Sequence, residues 1–111
     1  MIPADLLDQL RKKDPELWER MRRMPVYVHQ DGQLTIDLTK SDNTELVAAW
    51  LQHCLQEAIR ARDGWGCQIT SFGLPVIANV YNRRAYTTGR GDTEAEALGW
   101  AYLAVIEAIR P

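Results

Sequence analysis

The segment that most constrains the fold is the alanine-rich stretch DTEAEALGWAYLAVIEAI, residues 92–109. One face of the helix that it predicts carries only small side chains at helical spacing: Ala97, Ala101, Ala104 and Ala108. Thr93 stands before this helix and Glu96 three positions later, which is the pattern of a capping box. A helix face of methyl groups allows the backbone to lie close against a β-sheet. We therefore expect a core helix that packs on strands.

Three short β-prone runs precede this helix, with the sequences CQITSF, PVIANVY and RAYTTG. Gly73-Leu74-Pro75 separates the first two runs and Asn82-Arg83 the last two, and such residues favour turns. Before the runs, the stretch SDNTELVAAWLQHCLQEAIRAR has helical spacing and ends at Asp63-Gly64. Residues 43–110 therefore predict the order α-β-β-β-α.

The N-terminal part predicts helices followed by a hairpin. Asp14 is a predicted N-cap with Pro15 at the first helical position, so residues 1–24 form two short helices or one broken helix. The next stretch, VYVHQDGQLTIDL, alternates apolar and polar residues around Asp31-Gly32, which predicts a type I′ hairpin. The predicted order of the whole chain is α-ββα-β-ββα.

An internal match connects the two halves of the chain. Sliding the sequence by 50 residues aligns 24–60 with 74–110 and gives eight identities in 37 pairs. The match has two interpretations, a ββα duplication or two amphipathic helices of similar composition. In both cases we expect one domain, 1–111. It divides into an N-terminal helical segment 1–24, a first ββα unit 25–62, and a strand with a second ββα unit 66–110.

The fold class that follows is α+β. We expect a two-layer sandwich in which a mainly antiparallel sheet of about five strands carries both long helices on one face. A small sheet of this kind has open edges, and a strand such as 26–30 or 66–72 offers unpaired backbone groups to a second copy of the chain. A homodimer is therefore one expectation.

The element order of residues 43–110 resembles that of the double-stranded RNA-binding domain. The stretch GRGDTEAEA stands where that family carries Gly-x-Gly, a Ser or Thr, and a lysine-rich helix start. The resemblance implies ammonium groups that face phosphates, whereas this chain has Glu94 and Glu96 in that turn, and carboxylates there stabilise the helix dipole but repel phosphate. Nucleic-acid binding is therefore the less favoured interpretation.

The same region also resembles the ABA-sandwich type of small phage and prophage proteins. The resemblance rests on Trp65 just before the strands, a small meander, and an Ala-rich helix that opens with DTEAEAL. It implies a phage or prophage origin, and the members of that group generally lack an assigned activity.

Composition narrows the class of protein. The chain has 111 residues, a net charge of −2 and 46% hydrophobic residues, which is typical of a globular domain and gives no overall positive charge for a polyanion. Its longest apolar run, 99–106, is too short to span a bilayer. With two cysteines and no secretory signal, we expect a reduced cytoplasmic protein without membrane contact.

Nothing in the sequence predicts catalysis, and we expect no catalytic residue, metal ligand or cofactor. His53 and Cys54 have no metal-binding spacing around them, so we interpret both as structural. An enzyme would require an unexpected convergence of His29, Asp37 or Cys67 in one pocket.

The candidate binding residues lie in and beside the stretch YNRRAY. They are Tyr81, Arg83, Arg84, Tyr86 and Arg90. Tyrosine and arginine are over-represented at the energetic centres of protein interfaces, and the same pair can hold nucleic acid by stacking and phosphate contact. The alternative is an ordinary polar turn flanked by strand tyrosines.

These observations favour a small non-catalytic interaction protein, encoded by or derived from a phage. It would bind a host protein, such as a bacterial defence system, and inhibit or modulate it. The alternative is a nucleic-acid-binding protein with double-stranded RNA-binding-like topology that uses Arg83, Arg84 and Arg90, with Arg60 and Arg62 as further candidates.

Overall fold

The computed structural model describes residues 2–28, 32–37 and 44–109. Its helices are α1 (Ala4–Lys13), α2 (Pro15–Arg22), α3 (Thr44–Arg60) and α4 (Glu94–Ile109). Its strands are β1 (Arg23–Val28), β2 (Gly32–Asp37), β3 (Gly66–Thr70), β4 (Val76–Tyr81) and β5 (Tyr86–Gly91). The fold is α+β, and the predicted element order is confirmed, with the N-terminal segment forming two helices.

The five described strands form two separate sheets, so the prediction of a single sheet of about five strands is wrong. β1 and β2 form an antiparallel pair, while β3, β4 and β5 form an antiparallel sheet with β4 in the middle. The reason lies in the chain path. β1 begins directly after α2, and α2 packs against α1 and α3. The first hairpin therefore starts on the helical side of the molecule.

The 50-residue internal match does not correspond to two equivalent ββα units. In the first hairpin Val26 pairs with Leu34, whereas Val76, its counterpart in the second hairpin, pairs with Gly91. The helices differ too, because α4 packs on β4 and β5 while α3 packs mainly on α4 and α2. These differences favour two amphipathic helices of similar composition.

Helix α4 lies in the middle of the molecule, between the three-stranded sheet and the other helices. One side of α4 packs on β4 and β5, and α1 and α3 pack on its remaining surface. Leu6 of α1 contacts Gly99, which lies on the side of α4 turned away from the sheet. The expected sandwich therefore has a further helical layer, and α3 contacts the three-stranded sheet mainly at β3.

A close approach of two backbones fixes α4 against β5. A Cβ atom on Gly89 would lie 2.1 Å from the carbonyl oxygen of Ala97 and 2.4 Å from the backbone nitrogen of Ala101. The Thr87 hydroxyl lies 2.7 Å from the carbonyl oxygen of Ala101, to which it can donate a hydrogen bond. The predicted small-residue face of α4 therefore packs against β5 at Ala97 and Ala101.

The two faces of the three-stranded sheet differ in burial. Cross-strand partners point to the same side of a sheet, and the inner side carries the buried residues Val76, Ala78 and Val80 of β4. Nine residues of α4 are also buried, which makes this helix the largest contributor to the core. The outer side carries exposed residues on all three strands: Gln68, Tyr81, Tyr86, Thr88 and Arg90.

The predicted helix caps are present. The Asp14 carboxylate accepts a hydrogen bond from the Leu17 N–H at 3.1 Å. At α4 the Thr93 hydroxyl oxygen accepts from the Glu96 N–H at 3.1 Å, and the Glu96 carboxylate accepts from the Asp92 N–H at 2.9 Å. Glu96 thus reaches one residue beyond the partner expected in a standard capping box.

The first hairpin differs from its prediction in detail. Gly32 is already part of β2 and pairs with Val28, so it is not a central residue of a two-residue turn. Residues 29–31, which include the candidate residue His29, lie outside the described part of the chain.

Replacing Gly89 by alanine will destabilise the fold, because the new methyl group meets rigid backbone atoms of α4. We expect a loss of about 2 kcal/mol or more in the free energy of unfolding, measured by urea denaturation.

Gly99→Ala is the matched control. There the three atoms nearest to the new methyl group all belong to the Leu6 side chain, at 3.0–3.4 Å, and alanine favours a helix, so we expect a change within about 1 kcal/mol. Equal stability of the two variants would contradict the packing of α4 on β5.

Candidate partner-binding site

Two stacked tyrosines mark one end of the outer sheet face. Tyr81 and Tyr86 pair across β4 and β5, and their ring centroids lie 5.8 Å apart with 13° between the ring planes. Tyr81 also covers Gly66 of β3, where a Cβ atom would come within 2.8 Å of the ring. The aromatic contacts restrict both rings, yet Tyr86 remains 65% exposed.

The turn after Tyr81 presents two arginines. The side-chain oxygen of Asn82 accepts hydrogen bonds from the Arg84 N–H at 2.7 Å and from the Ala85 N–H at 2.9 Å. The Asn82 N–H donates to the Ala85 carbonyl at 2.9 Å, which closes the turn. Arg83 and Arg84 therefore stand at the apex of an ordered turn, and both are exposed.

A cavity of about 260 Å³ lies beside this turn, and we call it the tip cavity. Its lining comes from the α3–β3 loop, the β4–β5 turn and the last residue of α4: Asp63, Trp65, Asn82, Arg83, Arg84 and Ile109. Arg83 lies near the loop, since a Cβ on Gly64 would be 3.8 Å from Arg83 Nε. The guanidinium of Arg62 lies 4.5 Å from the centroid of the Trp65 indole.

Charge is distributed unevenly over the chain. Residues 64–91 contain three arginines and no Asp or Glu, although the chain as a whole has a net charge of −2. Among the residues that the structure describes, Arg83, Arg84 and Arg90 form no ion pair, whereas Arg11 and Arg20 each bond to a carboxylate. The three-stranded sheet therefore carries uncompensated positive charge.

The five predicted binding residues share one region but not one cluster. Tyr81 and Tyr86 are in contact, and Arg83 and Arg84 line the tip cavity. Arg90 is on the same outer face as Tyr86, four residues further along β5, and strand geometry separates them by about 13 Å.

Three residues near this surface are missed by the sequence analysis as binding candidates. Phe72 is 99% exposed and Leu74 74% exposed, both in the β3–β4 loop, and Trp65 lines the tip cavity. The signal in the sequence is SFGLP, which places two large apolar residues in a segment whose glycine and proline mark a turn. Phe72 and Leu74 lie at the end of β4 opposite the tyrosine pair.

Of the three residues whose convergence an enzyme would require, His29 lies outside the described residues, Asp37 is the last residue of β2, and Cys67 is a half-buried free cysteine of β3.

Two further groups with reactive side chains lie on α3. Cys54 is a buried core residue, and burial, followed by the nearby Glu57 carboxylate, raises the pKa of its thiol to about 11 despite the opposing Arg20 charge. His53 stacks on Trp50, and its Nε2 lies 3.0 Å from Glu57 Oε1. The part of the chain that is described holds no group of three His, Cys, Asp or Glu residues placed to bind a metal ion.

A second cavity, of about 170 Å³, is lined by the residues of a partly buried polar contact. The hydroxyl of Tyr102, which is fully buried, donates to the Asp14 carboxylate at 2.5 Å, and Arg62 lies 3.9 Å from the same carboxylate. Burial first, and then the Asp14 carboxylate, raise the pKa of Tyr102 well above its ordinary value. This contact ties the start of α2 to α4.

The N-terminal end of α4 is acidic and internally bonded. Glu96 accepts from the Asp92 N–H, and Glu94 accepts a hydrogen bond from Gln52 of α3 at 3.0 Å. The double-stranded RNA-binding resemblance implies a phosphate contact at this place, and the two carboxylates oppose one.

No protein-family model, curated protein or solved structure matches the chain. Both family resemblances therefore stay predictions. Within the described ranges, no helix has the length and apolar character needed to cross a membrane.

The buried Tyr102 makes stability pH-dependent at high pH. Because its pKa is higher in the folded than in the unfolded chain, the contribution of Tyr102 to stability is intact below about pH 10 and falls above it, by about 1 kcal/mol per pH unit. The raised pKa of the Cys54 thiol adds a decline that begins near pH 9 and is common to the two proteins compared. Urea denaturation between pH 8 and 11 will show that the free energy of unfolding declines less steeply with pH in Tyr102→Phe than in the unmodified chain. Identical slopes for the two proteins would contradict this assignment.

Proposed function

We propose that the chain is a non-catalytic interaction protein that binds an acidic surface of a partner protein. The binding surface is the outer face of the three-stranded sheet together with the β4–β5 turn. The observation that carries the proposal is the combination of two stacked, exposed tyrosines with arginines that lack ion pairs among the described residues, on a segment without acidic residues. Tyrosine and arginine, together with tryptophan, are the side chains that are enriched at the energetic centres of interfaces.

The exposed apolar loop favours a protein as the partner. Phe72 and Leu74 present large apolar side chains at the far end of β4, where a protein surface can bury them. A phosphate backbone offers no comparable apolar contact. The acidic N-terminal end of α4, which follows β5 directly, also opposes a long nucleic-acid footprint at this end of the sheet.

The resemblance to phage and prophage ABA-sandwich proteins supports a narrower form of the proposal. In that form the chain is phage-derived, and its partner is a host protein, such as a component of a bacterial defence system, which the chain inhibits or modulates. Binding through a sheet face needs no catalytic group and is compatible with so small a chain.

A second candidate function is single-stranded nucleic-acid binding. The specific observation in its favour is the tyrosine pair beside unpaired arginines, because bases stack on exposed aromatic rings and guanidinium groups contact phosphates. Phosphate contacts release counterions, so this mode is strongly weakened by salt.

Replacing Arg83 and Arg84 together by alanine will weaken partner binding by about tenfold or more, because both positive charges at the apex of the turn are lost. The measurement is retention of bound protein in a tagged pull-down from a bacterial lysate, with and without nuclease, over a range of salt concentrations.

The matched control is Arg11→Ala with Lys12→Ala, which removes the same charge from the exposed surface of α1. Retention that survives nuclease and falls only in the Arg83/Arg84 variant supports the proposal. If retention is lost on nuclease treatment and falls steeply with added salt, the result supports nucleic-acid binding instead. If both variants retain equal amounts of partner, the β4–β5 turn is not part of the binding surface.

A further inference from the structure

Two arginines without ion pairs in the described chain line the tip cavity beside one aspartate. The arginines are Arg83 and Arg84, and the aspartate is Asp63. An exposed arginine is free to turn toward a nearby carboxylate, so two such groups beside Asp63 leave a net positive charge available to a ligand.

The backbone around the arginines is fixed by hydrogen bonds. Asn82 holds the Arg84 and Ala85 N–H groups, and the Ala61 and Arg62 N–H groups bond to carbonyls of the last turn of α3. Both sides of the tip cavity thus belong to ordered segments, and a ligand would meet a largely preformed site, which lowers the entropic cost of binding.

The remaining lining defines what else the ligand must carry. Trp65 and Ile109 supply apolar surface, whereas Asp63 supplies an acceptor that requires an N–H or O–H donor. The cavity volume of about 260 Å³ lies just below the usual range for small-molecule pockets, which begins at roughly 300 Å³. The site therefore suits a group about the size of one amino-acid residue.

We infer that the tip cavity binds a carboxylate that lies next to an amide N–H and an apolar side chain, as presented by a peptide segment of the partner. Arg83 and Arg84 bind the carboxylate, Asp63 accepts the amide N–H, and Trp65 and Ile109 contact the apolar side chain. A simple inorganic anion fits less well, because it would face Asp63 without an apolar group for the indole. This inference deepens the proposed function and rests on it for the identity of the partner as a protein.

Two sources provide this chemistry, the C-terminal residue of a protein and an acidic side chain next to an apolar one. The test uses three small probes and inorganic phosphate. N-acetyl-leucine mimics a C-terminal residue, N-acetyl-leucyl-glutamyl amide carries the acid on a side chain, and N-acetyl-leucine amide lacks the carboxylate.

The experiment is an NMR titration of the ¹⁵N-labelled full chain with each probe. We expect saturable shifts of the Trp65 indole N–H and of the backbone N–H groups of 63–65 and 82–85, with dissociation constants on the order of millimolar for ligands of this size. N-acetyl-leucine amide and phosphate are expected to bind at least about tenfold more weakly. The stronger of the two acidic probes identifies the source of the carboxylate.

Three variants control the titration. Arg83→Ala with Arg84→Ala is expected to weaken the binding of the acidic probes about tenfold or more. The Arg11/Lys12 alanine variant is expected to bind them with unchanged affinity. Tyr86→Ala removes an outer-face residue that does not line the cavity, so it is also expected to bind the probes unchanged while it weakens partner binding.

The inference is overturned if neither acidic probe shifts these resonances, if the amide binds as tightly as the acid, or if phosphate binds as tightly as the acidic probes. The proposed function has a separate readout. If a protein partner is retained but no probe binds, the outer face remains the proposed interface and only the assignment of the tip cavity fails. If the probes bind but no protein partner is retained, the tip cavity remains a ligand site and the proposed function fails.

Discussion

The close contact between α4 and β5 is the interaction on which the rest of the structure depends. Gly89 allows the backbone of β5 to approach the backbone of α4 closely at Ala97 and Ala101. A Cβ atom at position 89 would prevent this approach. With α4 packed against the inner sheet face, α1 and α3 pack on α4, and α2 packs on α1 and α3. The outer face of the sheet then carries exposed tyrosine, arginine and threonine side chains, and it is the surface to which we assign partner binding.

Features set by neighbouring residues could be predicted from the sequence. The Asp14-Pro15 start of α2, the Thr93 and Glu96 cap of α4, and the alanine face of α4 each depend on a few residues close together in the chain. The grouping of strands into sheets could not be predicted in this way. It depends on where α2 packs, and alternation of apolar residues is the same in a hairpin that joins a sheet and in one that stands alone.

The same distinction separates the parts of the candidate site. The stretch YNRRAY indicates the tyrosine pair and the two arginines because all four are local to one turn. The tip cavity also needs Trp65 and Ile109, which come from distant parts of the chain and meet the turn only in the fold. The exposure of Phe72 is indicated only by the glycine and proline of the turn around it, because hydrophobicity by itself predicts that a large apolar residue is buried.

The most direct test of the account is site-specific photo-crosslinking from the outer sheet face. A photoreactive phenylalanine analogue at position 86 is compared, in lysate, with the same analogue at the exposed position 16 on α2. The account predicts a discrete protein adduct from position 86 that is reduced by the Arg83→Ala and Arg84→Ala changes, and none from position 16. Adducts from position 16 alone, or adducts at position 86 that nuclease digests, would contradict it.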